Sequence, residues 1–257
     1  RSLKEKAFLA GHKTEVERIA GFASKLAAKR NEARFQQLAG RKAAKAASGN
    51  PLTRMAGATG GEGIGVTGKR KGLVILVDFQ DVKMQSAHDN AEWNDFFNKT
   101  GYNTLGNSGS VHDYFYSQSY GKFDLSFDVV GPVTVSKNMA DYGGNDDSGN
   151  DKDPGGMVYE ACRLVADKVN FADYDWDGDG EVDQVFVIYA GYGEASRPAL
   201  LPNTIWPHEW TLKAAGYSLT LNKVKINTYG CTAELNDYGS KNMAGIGTAC
   251  HEFSHCP

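Results

Sequence analysis

The sequence predicts a mixed α/β (α+β) body. From residue 72 onward, apolar runs typical of strands alternate with amphipathic patterns typical of helices. The runs at residues 73–77 and 182–190 resemble buried strands, and a mixed succession of this kind predicts helices packed on a sheet. With 257 residues, of which 41% are hydrophobic, the chain is long enough to bury a core and is neither collagen-like nor disordered.

A basic segment precedes this body. Residues 1–48 carry 12 Lys and Arg against 4 Glu, a net charge of +8, whereas the other 209 residues carry −11. Apolar residues at three- and four-residue spacing predict helices. A helical pair packed on the body and a propeptide laid over an acidic cleft both fit this pattern. A nucleic-acid partner is disfavoured, because few aromatic residues accompany the charges and the body is acidic.

Residues 49–71 are predicted to be a linker, which leaves residues 72–257 as the body. Six glycines fall between residues 57 and 68, and the basic triplet Lys69-Arg70-Lys71 follows them. Either feature would suit proteolytic activation. We expect no transmembrane segment, because no apolar run approaches the roughly 18 residues needed to cross a bilayer. No signal peptide is recognised at Arg1, as in a mature chain from which one was removed.

The body elements follow in order. The first helix is predicted at residues 89–98, where Trp93, Phe96 and Phe97 share one face. The next helix begins with a capping box between Ser110 and Asp113. Further strands are predicted at residues 123–130, 133–135, 182–190 and 223–229, and further helices at residues 157–169 and from 243 onward.

The last predicted helix carries His251, Glu252 and His255 in a His-Glu-x-x-His pattern. Residues four apart lie on one helix face, so both imidazoles can bind one Zn²⁺. Bound zinc lowers the pKa of a water to roughly 7, and Glu252 would act as the general base that takes its proton. Zinc needs a third protein ligand, and the sequence ends two residues after His255. We therefore expect the chain to be the front part of a longer domain.

An acidic loop precedes the strand predicted at residues 182–190. Its carboxylates have the spacing of a loop that wraps Ca²⁺ with oxygen ligands; they are Asp175, Asp177, Asp179 and Asp183. The twelfth position is Phe186 rather than a bidentate Glu, so a single structural calcium site is predicted and not an EF-hand. A solvated acidic turn is the alternative.

Four cysteines allow three disulfide pairings, and the sequence does not choose among them. Cys250 and Cys256 lie on different faces of the histidine-bearing helix and cannot bridge each other while it is intact. Buried free thiols and one disulfide remain alternatives for the set, which also contains Cys162 and Cys231.

Several of these motifs together resemble the M6, immune inhibitor A type of secreted zinc metallopeptidase. The likeness spans about residues 72–255 and rests on the ordered segments GLVILVDF (72–79), SVHDYFYSQSYGKFDL (110–125), DWDGDGEVD (175–183), IWPH (205–208) and GTACHEFSH (247–255). The resemblance implies a metzincin-like twisted mixed sheet with a backing helix and an active-site helix. It also implies an extracellular or cell-envelope bacterial endopeptidase, made as a zymogen, with zinc at His251 and His255 and calcium at the acidic loop.

The family pattern continues with a third ligand near position 261, beyond the last residue, and Pro257 is unusual within such a helix. By analogy with the fold, residues 225–230 are expected to form an edge strand that binds an extended peptide substrate through Asn227, Thr228 and Tyr229. Segment 1–48 would serve as an intramolecular inhibitor.

Two other functions remain open. A catalytically inert calcium- and metal-binding envelope protein could retain the same scaffold. A zinc hydrolase could also act on a non-peptide substrate, because two histidines on a helix do not determine which bond is hydrolysed.

Overall fold

The computed structural model describes residues 67–147, 149–236 and 238–254. The predicted helical segment at residues 1–48, most of the predicted linker, and the three residues His255, Cys256 and Pro257 lie outside the described residues. None of the helices in the described ranges is long and apolar enough to cross a membrane.

A five-stranded mixed sheet forms the centre of the body, with strand order β2-β1-β3-β7-β4. Its strands are β1 (Gly68–Asp78), β2 (Phe123–Thr134), β3 (Val185–Tyr192), β4 (His208–Thr211) and β7 (Thr228–Leu235). The first four in spatial order are parallel, and β4 pairs antiparallel with β7. A separate hairpin consists of β5 (Leu219–Leu221) and β6 (Val224–Ile226).

Five α-helices accompany the sheet in the described residues. They are α1 (Asn90–Asn98), α2 (Val111–Gln118), α3 (Met139–Gly143), α4 (Pro154–Leu164) and α5 (Ile246–Phe253). The predicted capping box is confirmed, because Ser110 Oγ accepts from the Asp113 N–H and the Asp113 carboxylate accepts from the Ser110 N–H. These reciprocal bonds satisfy two backbone donors at the start of α2.

The two faces of the sheet bury separate cores. Leu73 and Ile75 of β1 point to a core shared with α3, α4 and the β5–β6 hairpin. Val74 and Leu76 point to the opposite core, which α1, α2 and α5 cover. Because successive side chains of a strand alternate between faces, an unbroken apolar run is what a strand covered on both sides requires. The predicted α/β (α+β) class is confirmed.

The sheet begins earlier than the sequence suggested. Lys69, Arg70 and Lys71 belong to β1, where they pair with residues 124–126 of β2, so the prediction of a linker reaching residue 71 was wrong. The polar end of β1 is mostly exposed, so its residues lack the apolar pattern that predicts a buried strand. Gly72 follows, at a position where a Cβ would lie 2.8 Å from Phe127.

Other boundaries moved for local reasons. Helix α4 starts at Pro154 rather than at residue 157, because Asp153 caps it by accepting from the Gly156 N–H, and it ends at Leu164 rather than near residue 169. The strand predicted at residues 223–229 divides at Asn227, and its second part, β7, continues to Leu235 with every residue buried.

Side-chain amides from α1 cover the outer edge of β2. Asn98 Nδ2 donates to the Phe127 carbonyl at 2.9 Å, and Asn98 Oδ1 accepts from the Phe127 N–H at 2.7 Å. Asn90 Nδ2 donates to the Val129 carbonyl at 2.9 Å. These bonds replace those that a further strand would make with the same backbone groups.

Candidate metal centre

Helix α5 is fixed on the sheet by Phe253, which is 1% exposed. Its ring centroid lies 5.7 Å from Phe115 of α2, 5.3 Å from Phe127 of β2 and 6.1 Å from Phe186 of β3. Edge-on aromatic contacts of this kind add to the stabilisation from burial and restrict how the helix can rotate. The orientation of the two preceding residues follows from this anchor.

His251 faces solvent, whereas Glu252 is 8% exposed. The structure thus presents one imidazole of the predicted pair at the surface, next to a carboxylate held in a largely enclosed position. His255 lies outside the described residues, so its convergence with His251 stays a prediction.

The donor set suits zinc rather than a harder cation, because imidazole nitrogen is a preferred zinc ligand. Burial raises the pKa of the Cys250 thiol to about 12. Cys162, Cys231 and Cys250 are buried and form no disulfide within the described residues. For these three cysteines the structure favours the buried-thiol alternative over a disulfide.

The acidic loop brings three of its four predicted ligands together. Carboxylate oxygens of Asp175, Asp177 and Asp183 lie within 4.8 Å of one another. Asp179 is not part of this group; its Oδ1 accepts from the Glu181 N–H at 2.9 Å. Asp175 also organises the loop, accepting from the Gly178 N–H at 2.8 Å and the Gly180 N–H at 2.9 Å.

Trp176 connects this loop to the sheet and to α5. Its backbone N–H donates to Asp183 Oδ2 at 2.6 Å, and its indole Nε1 donates to the Lys71 carbonyl at 2.7 Å. Its ring centroid lies 6.4 Å from that of Phe253. Trp176 therefore contacts the acidic loop, β1 and the ring that anchors α5.

The predicted substrate strand is not at an edge of the sheet. Thr228 and Tyr229 belong to β7, which pairs with β3 on one side and with β4 on the other, and Asn227 is 6% exposed. An interior strand has no free backbone groups to offer to a peptide, so the expectation of an edge strand at residues 225–230 was wrong. The edge next to β7 is β4, whose four residues the sequence analysis did not identify as a strand.

The sequence also matches a model of the family described as immune inhibitor A peptidase M6, catalytic domain, over residues 61–256. That match covers most of the chain and includes the sheet, the acidic loop and α5. The chain belongs to the M6 peptidase family.

Curated relatives of this M6 chain are longer proteins. It is 27% identical over 225 residues to immune inhibitor A of Bacillus thuringiensis subsp. alesti, an alignment that covers 73% of this chain and 32% of the relative. It is 27% identical over 227 residues to the pre-pro-metalloprotease PrtV of Vibrio cholerae serotype O1 (strain M66-2), covering 72% and 24% respectively. The chain thus spans a third or less of the length of these relatives.

One buried carboxylate in the M6 chain was missed by sequence reasoning. Glu234 at the end of β7 is 0% exposed and accepts from the Gln85 N–H at 2.8 Å and the Gly191 N–H at 2.9 Å. His88 Nδ1 lies 2.6 Å from Glu234 Oε1. The Glu234 carbonyl accepts from the Ala244 N–H, immediately before α5. This cluster ties the loop after β1 to the strand that leads into the helix.

Proposed function

We propose that this chain forms part of the catalytic domain of a zinc-dependent endopeptidase that hydrolyses protein or peptide bonds. The observation that carries the proposal is the presentation of His251 and Glu252 on α5, one at the surface and one enclosed, in a member of a peptidase family. His251 and His255 would hold the zinc ion.

A zinc ion held by His251 and His255 would supply Lewis-acid chemistry, including a bound water whose pKa is lowered to roughly 7. Glu252 would act as the general base that takes a proton from the attacking water, and would then return that proton to the nitrogen of the leaving amine. A carboxylate that is 8% exposed and sits on a helix anchored by Phe253 is held in place for both transfers. Fixed placement of a catalytic group is itself a large part of its effect.

The substrate in this proposal is an extended peptide that lies along β4, His208–Thr211. Among the described strands β4 pairs only with β7, so its second edge faces away from the sheet. An extended chain can add to such an edge through main-chain hydrogen bonds. These bonds do not depend on side-chain identity, so many peptide sequences can form them.

The experiment that tests the function measures zinc content and peptidase activity of the full-length protein and of two histidine variants. His251→Ala is expected to lower zinc affinity by at least 100-fold and to abolish activity. His112→Ala is the control, because His112 lies on α2 and contacts Asp124 rather than α5. Zinc binding without hydrolysis of any unfolded protein would favour the inert scaffold, and absence of zinc binding would contradict the proposal.

We further propose that Asp175, Asp177 and Asp183 bind one structural Ca²⁺, with Asp179 assisting from the same loop. Three carboxylates within 4.8 Å repel one another, and a divalent cation removes that cost.

Removal of calcium is expected to lower the thermal stability of the protein. Calcium at about 100 times its Kd would stabilise the folded state by roughly 2.7 kcal/mol. The measurement is the unfolding temperature in calcium and after chelation, with Asp183→Asn as the site variant and Asp124→Asn as an acidic control outside the loop. If calcium does not change the unfolding temperature of the native protein, the loop is a solvated acidic turn and not a calcium site.

We also propose that residues 1–48 act as an intramolecular inhibitor in a secreted zymogen. The +8 charge of this segment complements the acidic remainder of the chain, and one relative is itself named a pre-pro-metalloprotease. Since Lys69, Arg70 and Lys71 are strand residues, activation would cut before Gly68 rather than at this triplet.

A further inference from the structure

A single buried carboxylate connects three segments at the end of β7. Glu234 is 0% exposed. Its Oε1 accepts from the Gln85 N–H in the loop after β1, at 2.8 Å, and its Oε2 accepts from the Gly191 N–H near the end of β3, at 2.9 Å. Burial of an ionised group is costly unless the group is hydrogen-bonded, and here each oxygen has a backbone donor. Since a backbone N–H can only donate, both oxygens of Glu234 have to be acceptors.

This arrangement accepts a carboxylate but not an amide of the same shape. A glutamine side chain has one acceptor oxygen and one NH₂ group, which can only donate. In Glu234→Gln the NH₂ group would face a backbone N–H in either orientation, so Gln85 or Gly191 would lose its hydrogen-bond partner. A buried donor without a partner destabilises the folded state by its full desolvation cost. The geometry therefore selects an acid at this position.

His88 makes a third contact with the same carboxylate. Its Nδ1 lies 2.6 Å from Glu234 Oε1, and the residue is 8% exposed. Because an ionised carboxylate only accepts hydrogen bonds, Nδ1 is the donor. The next residue, Asp89, caps α1 by accepting from the Glu92 N–H at 2.9 Å. Glu234 thus holds the loop between β1 and α1 at two points, Gln85 and His88.

The main chain of Glu234 contacts the segment that leads into α5. Its carbonyl accepts from the Ala244 N–H at 2.7 Å, and the next residue, Gly245, is the N-cap of the helix. Glycine has no side chain that could cap the first turn. The start of α5 is thus joined to the end of β7, whereas Phe253 fixes the other end of the helix on the sheet.

We infer that Glu234 is a positioning residue for α5. Its carboxylate fixes the end of β7 against β3 and against the loop after β1, and its carbonyl joins the start of the helix to this fixed point. The inference deepens the proposed function and rests on it, because α5 carries His251 and Glu252. The reacting groups on α5 and a peptide on β4 have to meet in one geometry, and a small displacement of a catalytic group removes much of its effect.

The test compares Glu234→Gln with Asp78→Asn in the full-length protein. Asp78 also accepts from a backbone N–H of the loop after β1, that of Met84 at 2.9 Å. Asp78→Asn keeps one acceptor oxygen, which is enough for this single bond. The two variants make the same chemical change at two carboxylates that hold the same loop, so Asp78→Asn is the matched control.

The measurements separate positioning from general stability. Backbone amide exchange in the zinc-free proteins is followed at Ala244 and Thr248, whose N–H groups are hydrogen-bonded around the start of α5, and at Ile188 in the middle of β3. Glu234→Gln is expected to accelerate exchange at Ala244 and Thr248 by about 10-fold more than at Ile188.

The kinetic constants are measured with saturating zinc. Glu234→Gln is expected to lower kcat by about 10–100-fold, because α5 is displaced, and to change KM by no more than about twofold, because β4 is not. Asp78→Asn should change neither the exchange rates nor kcat by more than about twofold.

Native protection at Ala244 and Thr248 in Glu234→Gln would overturn the inference, and so would an unchanged kcat in an active enzyme. Equal acceleration at all three positions would also overturn it, because that result indicates general destabilisation. If Glu234→Gln does not fold, His88→Ala removes one contact and leaves both backbone bonds. Acceleration confined to the start of α5 then supports the inference, and uniform acceleration or none overturns it. If the native protein binds no zinc, the proposed function fails, but the exchange rates still decide whether Glu234 positions α5.

Discussion

Replacement of Glu252 by glutamine is expected to abolish peptide hydrolysis while zinc remains bound. Glutamine keeps the size of the side chain but cannot accept a proton, and general acid–base catalysis of this kind contributes about 10²–10⁴-fold to rate. Because Glu252 occurs in the pattern between two proposed ligands and is not itself one, the metal content should not change. The measurements are kcat on an unfolded protein substrate and zinc per chain.

Glu160→Gln provides the control for Glu252→Gln. Glu160 is a half-buried carboxylate on α4, across the sheet from α5, and accepts from Tyr142 Oη at 2.7 Å. Its variant should retain activity. Hydrolysis at the native rate by Glu252→Gln would reject Glu252 as the base, and loss of zinc in that variant would instead indicate that Glu252 is a ligand.

Phe253→Ala is expected to destabilise the fold by about 3–5 kcal/mol, the usual cost of removing a buried phenylalanine. The side chain contacts aromatic rings from α2, β2 and β3, so its loss leaves a cavity that cannot close without moving α5. Chemical denaturation gives the stability, and chelator competition gives the zinc affinity. Zinc affinity should fall together with stability.

Phe96→Ala is the matched variant, because Phe96 is also 1% exposed and belongs to the same core. Its ring contacts Trp93, Phe97 and Tyr102 rather than α5. Comparable destabilisation without a change in zinc affinity is expected. If both variants lose zinc equally, the effect of Phe253→Ala on zinc is not specific to the contacts that Phe253 makes from α5.

Local sequence signals predicted the parts of the fold that neighbouring residues determine. The capping box at Ser110 and the apolar run from Leu73 to Val77 are each determined by residues that lie within a few positions of one another. The convergence of Asp175, Asp177 and Asp183 was predictable for the same reason, since the three residues belong to one short loop.

Features that depend on distant contacts were not predictable in this way. Lys69 to Lys71 form a strand because β2 pairs with them, and β4 has only four residues whose role depends on lying next to β7. His88 and Glu234 are 146 residues apart and meet only in the folded chain. The sequence of these segments is partly polar and does not indicate burial. Their burial results only from their position in the folded sheet.

The amides of Asn90 and Asn98 make the two sides of the sheet unequal. They occupy backbone groups of β2 at residues 127 and 129, so a further strand could not pair there without first breaking hydrogen bonds to α1. At β4 no comparable helix amide stands in the way among the described contacts. Extension of the sheet at β2 would therefore deprive the two asparagine side chains of their backbone partners, which protects this edge of the domain from pairing with another chain.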